Sequence, residues 1–233
     1  MDTIGSALAY YLVFLFSTTV HEAAHAWVAK LGGDLTAYHG GQVSLDPLPH
    51  IRREPFGMVV LPLIACFITG WPFGFASAPY DPQWALKHPR RAAWMALAGP
   101  ASNLLIALLA LAIIRVGVAG GIFVPPESVV FDRVVAAANG SATHGAAFML
   151  SVFFSLNVVL AALNVIPLPP LDGSGVIMLG LPEQTARKYQ VFLRNNAGLR
   201  IVGMVVAWQL FGVMYQPLFL AAVNLIYPHT RYG

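Results

Sequence analysis

Of the 233 residues, 58% are hydrophobic and 10% charged, with a mean hydropathy of +0.68. Soluble domains carry about 45–50% apolar and about 25% charged residues, so composition excludes a soluble globular protein and implies an integral membrane one, with room for a single membrane domain over residues 1–233. The net charge of +3 comes from Lys and Arg at the ends of apolar segments, a pattern of membrane anchoring and not of nucleic-acid binding.

Asp2 precedes the first apolar run and no Lys or Arg does, which argues against a cleaved signal peptide. Ile4–Leu31 is long enough to span a bilayer with tilt, and Gly32 and Gly33 end it. Its C-terminal half carries His21-Glu22-Ala23-Ala24-His25. On a helix, positions four apart share a face, so both imidazoles can reach one Zn2+, and Glu22 stands beside the metal's water as a general base. Ionisable groups at membrane depth are costly and need a functional partner, which weighs against a chance match.

Residues 33–54 are polar and Gly-rich, and Gly41-Gln42-Val43-Ser44-Leu45 alternates as a short β-strand does. Its free edge is expected to add to an unwound peptide, which makes Gln42, Val43 and Ser44 candidate substrate-binding residues. Residues 57–76 are apolar but interrupted by Pro62, Gly70, Pro72 and Gly74. If they cross the membrane fully, Lys and Arg divide almost evenly between the two sides. If they re-enter, ten of the 13 lie inside and only Arg115, Arg133 and Arg231 outside, in agreement with the positive-inside rule.

An apolar helix over residues 92–114, a Gly- and Pro-containing loop, a helix over 146–166, a polar helix after Pro182 with Arg187, Lys188 and Arg194, and a last apolar run over 201–226 complete the chain. The expected fold is an all-α polytopic membrane protein of four to six transmembrane helices, four on the charge argument, with a re-entrant element and a small β-hairpin. Cys66 stands alone, so no internal disulfide can form.

A catalytic zinc site needs a third protein ligand. Asp172 is the one acid set between apolar runs, directly after Pro167-Leu168-Pro169-Pro170-Leu171, where the prolines break the helix and free backbone groups. His39, His50, His88, His144 and His229 lie in loops or at segment ends and read as solvated or interfacial. Trp27, Trp71, Trp84 and Trp94 with Tyr80 read as an aromatic belt.

Asn164-Val165-Ile166-Pro167-Leu168-Pro169-Pro170-Leu171-Asp172-Gly173 resembles the N-x-x-P-x-P-x-L-D-G motif of the site-2 protease family of intramembrane zinc metalloproteases. With His21-Glu22-x-x-His25 and Gly99-Pro100-Ala101-Ser102-Asn103, the resemblance covers nearly the whole chain and points to the short form without a PDZ or CBS domain. It implies His21, His25 and Asp172 as ligands of one Zn2+ per chain, Glu22 as the catalytic base, and Asn164 as a holder of substrate backbone. Gly74-Phe75-Ala76-Ser77-Ala78-Pro79 departs from the family's G-W-A-K-P-V-P-like stretch by lacking the lysine.

The implied activity is zinc-dependent endopeptidase cleavage within or near transmembrane segments of membrane-protein substrates, in regulated intramembrane proteolysis. The expected setting is a prokaryotic cell membrane, with the site nearer the cytoplasmic side. Asn103 is a further candidate for holding substrate, or else a packing and capping residue of its turn. The rival reading is a metal or proton transporter with the His/Asp cluster as a transit site; a transporter more often shows paired repeats and several acids along a path. Neither is present in the sequence.

Overall fold

The computed structural model describes residues 3–138 and 140–233; Asp2 lies outside them. In chain order the elements are α1 (Thr3–Leu31), α2 (Thr36–His39), α3 (Pro47–Arg53), a π-helical turn (Phe56–Val60) leading into α4 (Leu61–Thr69), α5 (Pro82–Lys87) and α6 (Pro89–Ala119). Strands β1 (Phe123–Val124) and β2 (Ala136–Ala137) follow, then α7 (Ser141–Asn164), α8 (Gly173–Val176), a 3-10 turn (Ile177–Gly180), α9 (Glu183–Asn195) and α10 (Gly198–Ile226). Among the described residues, four helices, α1, α6, α7 and α10, are long and apolar enough to cross a bilayer. The chain is a multi-pass membrane protein.

Lipid is as apolar as leucine, so helices in a membrane gain by close packing of small residues and by hydrogen bonds between them. The trio α1, α6 and α7 is built that way: Ala26, Ala29, Ala93, Ala107 and Ala110 are buried between helices, while Leu12, Leu105 and Leu109 point outward. Ser17, Asn103 and Asn157 are fully buried at the same interfaces. α10 joins through two patches. Phe219, Val223 and Ile226 pack with Phe154 of α7 and Phe123 of β1, and Gly203 lies so close to the Pro169 carbonyl that a Cβ would collide with it.

Phe56–Thr69 rises about 20 Å, short of the roughly 30 Å hydrocarbon core. Gly70, at φ +72°, turns the chain, which comes back without regular secondary structure over residues 72–81. The Phe75 N–H donates to the Gly57 carbonyl at 3.1 Å, and the Ser77 hydroxyl donates to Glu54 Oε1 at 2.7 Å. Gly57 and Gly74 permit this approach, since a Cβ on either would strike backbone of the opposite arm. Both ends of the element therefore stand together, as a re-entrant segment requires.

The strand expected over residues 41–45 is absent; those residues bend. Gly41 is at φ +73°. Ser44 Oγ accepts from Asp46 N–H at 3.0 Å, and His50 Nε2 donates to the Ser44 carbonyl at 3.0 Å. Asp46 in turn caps α3 by accepting from Leu48 N–H at 2.9 Å. These local side-chain bonds compete with a sheet ladder and win. The one sheet among the described residues is the β1–β2 pair, antiparallel with Phe123 opposite Ala137. Two further expectations are corrected: His50 is buried rather than solvated, and Trp84 is buried with its indole N–H donating to the Gly32 carbonyl at 2.9 Å.

Candidate metal centre

α1 delivers His21 and His25 one turn apart, and both side chains are buried. Asp172 arrives from the break after α7. There the Leu171 N–H returns to the Leu168 carbonyl at 2.9 Å and the Ser174 N–H to the Leu171 carbonyl at 3.1 Å, folding the proline-rich stretch into a compact turn. Gly173 is required in that turn because a Cβ would collide with the Val165 and Ile166 carbonyls. Ile166 and Leu171 anchor it against Ala207 of α10.

Three atoms converge as a result. His21 Nε2 and His25 Nε2 are 3.0 Å apart, and Asp172 Oδ2 lies 3.0 Å from the first and 3.3 Å from the second. Both imidazoles use Nδ1 elsewhere: His21 Nδ1–H donates to Asn103 Oδ1 at 2.6 Å, and His25 Nδ1–H to the Met95 carbonyl at 2.7 Å. This tautomer leaves a bare lone pair on each Nε2, so three acceptors face one another with no proton between them, which only a cation satisfies. A tetrahedral zinc with bonds of about 2.0–2.1 Å has ligand atoms about 3.3 Å apart, and the observed triangle fits it. Gly99 of α6 completes the cradle, because a Cβ there would overlap both Nε2 atoms.

Glu22 lies beside this triangle. A carboxylate oxygen of Glu22 is within 4.8 Å of a ligand atom of each histidine, and its Oε2 is buried without a hydrogen-bond partner. 

The other candidates are distributed as follows. Asn103 is fully buried behind His21 and not at an open face; its amide donates to Asn157 Oδ1 at 2.9 Å and to the Ser17 carbonyl at 3.4 Å. Asn157 donates onward to Ser17 Oγ at 2.9 Å. Asn164 is half-buried at the end of α7 and donates to the Leu160 carbonyl at 3.0 Å. Gln42 is buried and reaches the Ser77 carbonyl at 3.5 Å, while Val43 and Ser44 lie in the bend beside it. Sequence reasoning passed over Asn157, Ser17 and Gly99 as parts of the site. Asn157 carried a signal, an amide in an apolar helix, which needs a partner there.

Residues 9–210 match peptidase family M50. YwhC of Bacillus subtilis, named as a candidate zinc metalloprotease, is 34% identical over 174 residues, covering 74% of this chain and 69% of its own. Rip2 of Mycobacterium tuberculosis Erdman, named likewise, is 31% identical over 229 residues, covering 93% and 78%. Rip2 of Mycolicibacterium smegmatis is 29% identical over 187 residues, covering 80% and 62%. No solved structure matches. With a match that runs from the first spanning helix into the last and includes every side chain of the converging triangle, the chain belongs to peptidase family M50, the site-2 protease family of zinc metalloproteases.

Proposed function

We propose that the protein is an intramembrane endopeptidase that hydrolyses peptide bonds of transmembrane segments, with His21, His25 and Asp172 holding the zinc and Glu22 as the base. The observation that carries this reading is the place of the triangle. His25 lies six residues before the end of α1 at Leu31, about 9 Å along the axis, so the reacting group lies below the membrane surface, nearer the side that receives residues 33–91. By the charge asymmetry that side is the cytoplasmic one.

Zinc bound by these ligands supplies Lewis-acid chemistry, acidifying water and polarising the carbonyl to be attacked. The Glu22 carboxylate accepts the water's proton as the carbon–oxygen bond forms and returns it to the amide nitrogen as the carbon–nitrogen bond breaks. His21 and His25 keep their Nδ1 protons throughout, held by Asn103 and Met95. The Ala-rich helix interfaces around the site exclude bulk water.

A helical peptide bond is shielded by its own hydrogen bonds, so the substrate must be unwound and offered replacement partners. The returning arm of the re-entrant element supports this role. Gly74 abuts Phe14, and Ala78 packs on the cluster that Ala29 and Trp84 share, so the arm is bracketed by the parts of α1 before and after His21, Glu22 and His25. Among the described residues, the N–H groups of Ala76, Ser77 and Ala78 make no backbone hydrogen bond. Backbone pairing with substrate therefore passes from residues 41–45 to this arm, and Gln42 braces it through the Ser77 carbonyl. Asn164, at the broken end of α7, holds the substrate backbone from the other side. The test is cleavage of a single-span reporter by the purified protein in liposomes, with products mapped by mass spectrometry: a cut inside the apolar segment is expected, and cuts confined to soluble flanks would overturn the reading.

A further inference from the structure

Asp132 is the one carboxylate in the β1–β2 connection that is drawn inward among aromatic rings. Tyr10 of α1 donates its hydroxyl to Asp132 Oδ2 at 2.7 Å. Among the described residues no Lys, Arg or His forms an ion pair with it. It borders a cavity of about 380 Å³ whose walls include Tyr10, Trp71, Phe131, Tyr215 and Phe219. The rings form a connected cage: Trp71 lies 4.0 Å from Phe131 and 5.8 Å from Tyr215, Tyr10 lies 6.0 Å from Phe131, and Tyr215 stacks on Phe219 at 5.6 Å. This site is separate from the metal centre, since Tyr10 precedes His21 by about 16 Å along α1.

Each ring presents a negative face, and a carboxylate in such surroundings is costly without a counter-charge. A hard metal ion needs six or more oxygens, and the cavity offers one carboxylate and a few phenol and amide groups. An organic ammonium fits both features, because it combines ion pairing with cation–π attraction in an aromatic cage. Arg133 follows Asp132 in sequence. It is exposed, donates to Ser128 Oγ at 2.9 Å and forms no ion pair. Adjacent positions thus present a negative charge to the cage and a positive one outside it, the complement of a zwitterion. The cavity's remaining walls are Gly70 at the tip of the re-entrant element, Val129 and Val130 of the β1–β2 connection, and Gln216 of α10; the apolar side chains near the first and last of these, Ile68 at 77% and Val213 at 78%, are exposed.

We infer that this cavity binds the headgroup of an ammonium phospholipid, the ammonium in the aromatic cage on Asp132, the phosphate toward Arg133 and the acyl chains along the outer faces of α4 and α10. The lipid ties the re-entrant tip to α10 and to the β1–β2 connection. Native mass spectrometry of the full chain with phosphatidylethanolamine, phosphatidylcholine and phosphatidylglycerol of identical acyl chains tests this. The wild-type protein should retain the two ammonium lipids about tenfold better than phosphatidylglycerol. Asp132→Asn should lower the two ammonium lipids to the level of phosphatidylglycerol with zinc stoichiometry unchanged, whereas Tyr10→Phe, which keeps the carboxylate, should preserve the preference. If Asp132→Asn fails to fold, Arg133→Gln serves instead and should weaken retention of every phospholipid several-fold. Equal retention of the three lipids by wild type, a preference that survives Asp132→Asn, retention unchanged by Arg133→Gln, or displacement of the lipid by a lysine-bearing peptide at lower concentration than by free phosphatidylethanolamine would overturn the inference.

Discussion

Replacing Asn103 by leucine keeps volume close but removes the acceptor for His21 Nδ1–H and the donor to Asn157 Oδ1. His21 then has no fixed tautomer, and its Nε2 is no longer held toward Asp172. Loss of a hydrogen-bond partner behind a metal-ligating histidine lowers metal affinity by about 10–100-fold, or about 1.4–2.7 kcal/mol. Stability should fall as well, by about 1–3 kcal/mol, because Asn157 Oδ1 is left buried without a donor, the lower end reflecting how weak inter-helix hydrogen bonds measure in membranes. The control is Asn103→Asp, which retains the acceptor for His21 and should hold zinc within about threefold of wild type. Chelator competition on the detergent-purified protein gives the affinities, and a thermal melt monitors the fold. A folded Asn103→Leu protein with wild-type zinc affinity would refute the role assigned to this network.

Gly99→Ala should empty the zinc site at near-normal helicity, since its Cβ overlaps both histidine Nε2 atoms; metal analysis with circular dichroism checks this, and a stoichiometric zinc would contradict it. Asp172→Ala leaves two imidazoles and should lose zinc and cleavage together, read by metal content and the reporter assay. Ala76→Pro removes one unpaired donor of the returning arm and should raise KM about fivefold at unchanged zinc content, while Ala76→Val, which keeps the N–H, should raise it less. In a Cys66→Ala background, Gln83→Cys should resist an impermeant thiol reagent in intact cells and Glu127→Cys should react; labelling of Gln83→Cys from outside with Glu127→Cys protected would mean that residues 56–75 cross the membrane.

The convergence of His21, His25 and Asp172 was legible because its signals are local or exclusive. His21, Glu22 and His25 follow from helical spacing, and Asp172 from being the one acid between apolar runs behind a proline-made break. The re-entrant element was legible from charge, since folding it back collects ten of the 13 Lys and Arg on one side. Residues 41–45 misled because period-two alternation does not reveal that Gly41 takes a positive φ or that Ser44 and Asp46 bond their own neighbourhood. The support of His21 was not legible either: Asn103 stands 82 residues away in the chain, and Asn157 meets Ser17 across 140. Which amide faces substrate and which faces a histidine is decided by how α6 and α7 rotate against α1, and no local pattern encodes that.

Glu22→Gln is nearly isosteric and removes the proton-accepting carboxylate while leaving His21, His25 and Asp172 in place. Purified and reconstituted with a transmembrane reporter, this variant should bind one zinc per chain, as wild type does, and show cleavage reduced at least a thousandfold. Zinc retained together with wild-type cleavage would contradict the assignment of Glu22 as the base and of this centre as the site of peptide hydrolysis.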